Sequence, residues 1–437
     1  MLLLFLLLAT GAPAAPPQPP LRETVVVTGH AQPVPFENLS RAVVVITREE
    51  IARLPVRSVA EVLQYLGSVD VQSRGVLGIQ SDFSVRGASF GRTLVLVNGV
   101  RMNDAQSGHH NADIPVLLED VERIEVLYGQ GSSLYGADAF GGTINIVTRR
   151  PEAGERRAAI SVGQFGHVDA SAGASVGKGS LVQSVGVSAS RSSGFMPARG
   201  FETFAASSGT RMGSAGSLLV SHLWKDFGAN GFYGPAPSRE RTNQTLVAFA
   251  QRVRIPGAEG SFTTAYRTHG DWFLYDPRRA ASLPNRHRTH AVEATLKAQR
   301  PVAERTRVNA GLTVGGDWIR SNNLGDHAFA RASVFAEVQH RITERTLLYP
   351  GLRVDVYSSF GTSAAPSLAL STWLSQNLKA RASAGRAFRI PTFTELYYSD
   401  PNHLATPTLT AEHGWEGEAG LDWIGPPGWL ATGTFFA

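Results

Sequence analysis

The chain has 437 residues, with 41 Lys and Arg against 36 Asp and Glu and a formal charge of +5. Charged residues make up 18% and hydrophobic ones 43%, so against the roughly 25% charge of soluble domains the deficit is one of charge, not of apolar surface. The absence of cysteine excludes a disulfide scaffold, a thiolate zinc site and a cysteine nucleophile, and the lack of any block of like charge argues against a nucleic-acid partner.

The chain opens on Met1-Leu2-Leu3-Leu4-Phe5-Leu6-Leu7-Leu8. A run this short cannot span about 30 Å of hydrocarbon. It suits the apolar region of a signal peptide, with Ala12-Pro13-Ala14 supplying the small residues of a cleavage site, although no Lys or Arg precedes Arg22. Residues 1–15 are therefore expected to be a removed signal peptide. No later run is apolar for about 18 residues, so no transmembrane helix is expected. Residues 16–40 are Pro-rich and carry no packing period, as in a flexible arm. Within it, Glu23, Thr24, Val25, Val26, Val27 and Thr28 form a β-prone island. Such a segment adds as an edge strand to a partner's sheet, or forms the first strand of the next domain.

Residues 41–150 read as a compact α+β domain. Val43 to Ile46 is a strand, and Thr47 with Glu50 makes a capping box for a short helix before Pro55. Ser58 with Glu61 makes a second box, with Val59, Val62, Leu63 and Leu66 on one face. Thr93 to Val97 is a strand, and Asn98-Gly99 is the signature of a type I′ hairpin. Val121 to Leu127 and Thr143 to Thr148 are further strands, separated by Gly129, Gly131, Gly136, Gly141 and Gly142, a density that marks tight turns and close backbone approach.

From 155 to 437 the period becomes 2. Val308, Ala310, Leu312 and Val314 alternate with Arg307, Asn309 and Thr313; Leu352, Val354 and Val356 alternate with Arg353 and Asp355. One face is polar and often charged, the other small or branched and apolar. This is the pattern of a transmembrane antiparallel β-barrel with a wet or plugged lumen. Soluble β-sandwiches and propellers also alternate. Short links such as Gly177-Lys178-Gly179 alternate with long ones, 192–211 and 388–411, and about fourteen strands fit.

Little here points to catalysis. Gly87-Ala88-Ser89-Phe90-Gly91 matches a nucleophile elbow in letters only, because a strand follows it where the elbow needs a helix. No enzyme activity and no cofactor are assigned. His109-His110 is a local pair, but adjacent histidines on an extended segment point to opposite sides and do not chelate one ion, so no metal is assigned.

Residues 82 to 148 carry a resemblance. Arg86-Gly87, Val97-Asn98-Gly99-Val100, Glu122-Arg123-Ile124-Glu125-Val126, Leu134-Tyr135-Gly136 and Ala139 to Ile146 resemble, in order, the plug domain of TonB-dependent outer-membrane transporters. Glu23 to Thr28 resembles the family's TonB box. Phe388-Arg389-Ile390-Pro391-Thr392, Glu395-Leu396-Tyr397 and Pro407 to Glu412 resemble its barrel. Tyr128-Gly129-Gln130 departs from the family's usual Arg-Gly-Pro. The resemblance implies a plug inside a barrel of twenty-two strands, and with about fourteen present it implies a C-terminally truncated chain. It further implies the TonB complex and outer-membrane lipid as partners, and a large ligand as cargo.

Two plug loops, 73–81 and 103–113, would form the binding cup, as loops on a rigid scaffold do. The candidate contacts are Arg74, Gln80, Asn103, Gln106, Ser107, His109, His110 and Asn111. Their amides and hydroxyls suit cobalamin, a large amide-fringed molecule, and loop spacing most resembles the cobalamin subgroup. A siderophore–iron chelate ranks second. Haem ranks third, because the interval between Pro391 and Pro407 holds only His403, in a turn-type sequence. A surface receptor that signals without transport is the remaining alternative.

Overall fold

The computed structural model describes residues 25–26, 29–400, 403–426 and 429–437. The expected signal peptide lies outside the described residues, as does most of the TonB-box segment. Val25–Val26 is described, and pairs antiparallel with Val34–Pro35.

The N-terminal domain is built on a five-stranded sheet. Its order is Val43–Thr47, Val121–Tyr128, Gly142–Thr148, Thr93–Val97 and Val100–Arg101, with Thr93–Val97 parallel to Gly142–Thr148. Leu94, Val95, Val97, Ile124, Val126, Ile144 and Ile146 are fully buried within it. The helix Arg48–Ile51 starts on the expected reciprocal box, Thr47 with Glu50. At the helix Val59–Leu63, Ser58 caps Glu61, but the Glu61 carboxylate accepts from Arg57 N, one residue before the expected partner. Asn98 and Gly99 turn at φ 52° and 80°, as a type I′ hairpin requires. Gly141 allows close approach: a Cβ there would lie 2.2 Å from Ala88 Cβ and 2.8 Å from Val85 O.

A second sheet follows, of fifteen strands in unbroken sequence order, from Arg156–Val162 to Leu430–Phe436. Every pairing is antiparallel to the next strand in the chain, and strands reach nineteen residues at Pro237–Ile255 and Asn285–Ala303. The alternation is inside-out relative to a soluble protein. On Thr346–Tyr357, Arg353, Asp355 and Tyr357 are buried while Leu352 and Val356 are exposed. Val292, Leu296, Leu312, Val314, Val334 and Leu368 continue the exposed apolar band, the surface a lipid-facing barrel needs. Among the described residues no helix is long and apolar enough to cross a membrane. Phe201–Met212 corrects the expected loop 192–211: only residues 193–200 lie outside strands there. The run Phe201-Glu202-Thr203-Phe204-Ala205-Ala206-Ser207 alternates too weakly in polarity to announce a strand.

The N-terminal domain sits against the polar inner face of this sheet. Arg267 reaches Asp104 at 2.6 Å and Lys379 donates to Leu39 O at 3.1 Å. Glu418 accepts from Ala42 N at 3.0 Å and from Arg86 at 2.9 Å.

Candidate functional site

The loops 74–80 and 103–113 lie side by side. The hairpin Val69–Ser73 and Ser81–Val85 is closed by Arg74 N donating to Gln80 O at 2.9 Å. Next to it the chain makes a tight 3₁₀ turn, Gly108–His110, capped by Ser107. This turn replaces the extended segment expected for the histidine pair, and it sends the two rings apart. His109 stacks on Phe90 at 4.5 Å and bonds Asp82 at 2.9 Å. His110 turns inward, its ring 4.4 Å from that of His269 on the barrel wall.

The eight candidate residues divide accordingly. Arg74 is half-buried, 3.3 Å from Asp82 and over the ring of Tyr233. Gln80 is buried beneath Tyr233, whose hydroxyl it bonds. Ser107 and His109 are partly exposed. The other four face inward and are buried. Asn103 accepts from Val95 N at 2.8 Å and donates to Thr93 O at 3.1 Å, extending the sheet beyond the short strand Val100–Arg101. Asn111 accepts from Asp104 N at 3.0 Å, and Gln106 donates to Asp271 at 2.7 Å. Short polar side chains in a compact loop are recruited by the loop's own backbone before they can serve a ligand.

The inward-facing residues meet a row of charge on the barrel. Arg267, His269 and Asp271 alternate along Ala258–Leu274, with Glu240 and Gln244 on the neighbouring strand and Lys225 beyond. Asp104 binds Arg267 and accepts from Thr289 at 2.7 Å. Asp113 binds Lys225 and, at 2.8 Å, His269. Burial alone would raise the Asp104 carboxyl, but Arg267, His269 and His110 hold it well below the usual carboxylate range. Burial works downward on His110, yet its hydrogen bond to Asp271 and the charges of Asp271, Asp113 and Glu240 push its imidazole up to about 9.

The outer loops complete the site. The helix Phe393–Tyr397, capped by Thr392 and Glu395, docks end-on: Phe393 N donates to Ala105 O at 2.7 Å and Thr394 N to Gln106 O at 3.0 Å. Arg389 ties it to Glu395 at 2.6 Å and to Glu412 at 2.9 Å. Around Tyr233 lie Phe273 at 5.1 Å and Phe232 at 6.3 Å, with Arg199 over Phe232. Sequence reasoning does not single out these aromatics, though the adjacent Phe232 and Tyr233 in a link between two strands are a visible signal. His403 is exposed and bonded to Asp400 at 2.8 Å within its turn.

At the opposite end, the arm is fastened to the barrel. Ala31 N donates to Glu337 at 3.0 Å, and His30 lies 3.4 Å from the same carboxylate while stacking on Tyr349 at 3.9 Å.

Residues 35–143 match the TonB-dependent Receptor Plug Domain, and residues 163–437 the TonB dependent receptor-like β-barrel. The chain is 28% identical over 407 residues to the vitamin B12 transporter BtuB of Photobacterium profundum, covering 86% of this chain and 64% of that protein. It is 35% identical over 133 residues to BtuB of Vibrio vulnificus, covering 30% of this chain and 22% of that protein. The chain thus spans less than two thirds of these curated relatives. Its fold is similar to the siderophore receptor PirA of Pseudomonas aeruginosa, with a TM-score of 0.72 at 21% identity, over 90% of this chain and 73% of that one. It is also similar to the ferric enterobactin receptor PfeA of the same organism, with a TM-score of 0.73 at 18% identity, over 94% and 72%.

Proposed function

The chain belongs to the TonB-dependent receptors, and from that premise we propose that it takes up a large, scarce ligand across the bacterial outer membrane, with cobalamin as cargo and with TonB pulling on Glu23 to Thr28. The observation that carries the reading is the folded domain lodged against the barrel's inner face by buried polar contacts. A domain lodged there obstructs the lumen of the family's barrel, so uptake needs work, and such contacts can be exchanged for water one at a time. The arm fits the second requirement. Val25–Val26 already has strand geometry and only a two-residue partner, which a stronger strand can replace.

Cobalamin is favoured over other cargo by the relationship to vitamin B12 transporters across most of this chain. We assign ligand contact to Arg74, Ser107 and His109, with Gln80 holding the Tyr233 ring from beneath. Together with the rings of Tyr233 and Phe232 they offer donors beside flat apolar faces, suited to a macrocycle fringed with amides. Asn103, Gln106, His110 and Asn111 then support the loop from below. The protein is assigned to the outer membrane, with residues 1–15 removed as a signal peptide, 41–150 acting as plug and 155–437 as part of the barrel.

The test is cyanocobalamin binding to full-length protein in outer membranes, followed by uptake in a host lacking its own cobalamin transporter, with and without TonB. Saturable binding with TonB-dependent uptake is expected. Uptake of a ferric siderophore or haem without cobalamin binding, or binding without any uptake, overturns the assignment.

A further inference from the structure

The cluster beneath the plug loop carries more charge than plug anchoring requires. Four buried carboxylates, Asp104, Asp113, Glu240 and Asp271, face two full cations, Lys225 and Arg267. Carboxylates thus outnumber the Lys and Arg side chains in a buried site, an arrangement that is costly unless each is well paired. Buried acceptors are also left over. Asp271 Oδ1, Gln106 Oε1 and Gln244 Oε1 have no hydrogen-bond partner although each residue is more than nine-tenths buried. Orphaned oxygens beside clustered buried carboxylates are what a bound cation would satisfy.

We propose that His110, Glu240 and Asp271 bind a divalent first-row transition-metal cation between plug and barrel. Their ligand atoms lie within 4.8 Å of one another. Around a zinc-sized ion, bound at about 2.1 Å, donors stand roughly 3.4 Å apart, so closure asks for about 1 Å of side-chain movement. The supporting contacts are those a metal site uses. His110 presents Nε2 to Asp271 at 3.5 Å and turns Nδ1 toward Asp113, 3.8 Å away, which fixes the ring. Asp271 Oδ2 is held by Gln106, and Glu240 by the Tyr233 hydroxyl at 2.9 Å. A second triad, His110, Asp113 and His269, shares the imidazole. Its carboxylate is already closed by Lys225 and His269, so it needs no ion.

One imidazole nitrogen with carboxylate oxygens selects zinc, cobalt, manganese or iron(II) over calcium and magnesium, which favour all-oxygen shells. The ion ties the plug loop to two barrel strands. This site does not depend on which ligand the outer cup binds.

The probe is Zn2+, titrated into full-length protein in detergent after chelator treatment, with Co2+ absorption as a second readout. One equivalent is expected to bind, at least tenfold more weakly in His110→Ala and in Asp271→Asn, and unchanged in His340→Ala, whose imidazole bonds Thr306 far from the cluster. Mobility on unboiled gels reports whether each variant is folded. Should the variants not fold, the wild-type Co2+ spectrum decides: visible bands of a nitrogen-and-oxygen site support the assignment, and their absence overturns it. Equal Zn2+ affinity in folded wild type and both variants overturns it, as does Ca2+ binding that Zn2+ does not displace.

Discussion

Asn103 separates a structural role from a ligand-binding one. Its side chain satisfies Val95 N and Thr93 O, where Thr93 is 1% and Val95 0% exposed. Asn103→Ala leaves one donor and one acceptor orphaned in the plug core, out of reach of water. Each unmet buried group costs about 1–3 kcal/mol, so the plug loses roughly 2–6 kcal/mol. With a urea dependence of roughly 1–3 kcal/mol per molar, its unfolding midpoint falls by on the order of 2 M. The assay is proteolysis of the plug in outer membranes across a urea series, with cobalamin binding measured in parallel below the transition. Binding is expected to persist while the midpoint falls. An unchanged midpoint with lost binding would refute the reasoning and return Asn103 to the ligand-binding surface.

Three further outcomes follow from the anchors. Glu337→Ala strands Ala31 N and His30, and residues 29–42 are expected to exchange amide hydrogens about ten to a hundred times faster by mass spectrometry, equal to roughly 1–3 kcal/mol; unchanged rates would show that Lys379 and Glu418 hold the arm alone. Gly141→Ala forces a methyl against Ala88 and Val85 O and should cost the plug about 1–3 kcal/mol in the same urea series, a value near zero meaning that the backbone there can relax. At Glu395, burial would raise the carboxyl, but Arg389 and the Thr392 backbone hold it below its ordinary 4.5. A depressed folded value gives stability that is present above about 4.5 and lost as pH falls through the folded value; protease access to residues 390–411 should therefore rise on acidification in wild type and rise less in Glu395→Gln, where only Glu412 still pairs with Arg389.

Local rules carried much of the fold. The Thr47–Glu50 box, the Asn98-Gly99 hairpin and the alternation of Arg353 and Asp355 with Leu352 and Val356 are short-range patterns, and each formed where its chemistry dictates. What the sequence hid was pairing at a distance. Arg267, His269 and Asp271 advertise one lumen-facing row, but nothing local says that the row meets Asp104, Asp113 and Gln106 more than 150 positions earlier. Asn103 and Asn111 looked like ligand donors because loop amides often are. Only the three-dimensional arrangement reveals that backbone groups had already claimed them. For His109 and His110, the 3₁₀ turn decides what spacing alone cannot, aiming one ring at the cup and the other into the wall.

The end-on docking of Phe393–Tyr397 has a thermodynamic consequence. Its first backbone donors are satisfied by Ala105 O and Gln106 O, carbonyls that belong to the plug. The outer loop therefore cannot shift without orphaning those carbonyls, nor can the plug loop shift without uncapping the helix. Occupancy outside and movement inside are then linked by one coupling free energy, equal in both directions. Under the proposed function, a ligand that grips the outer loop would alter how firmly the plug resists an inward pull, and a pull on the plug would alter how long that ligand stays.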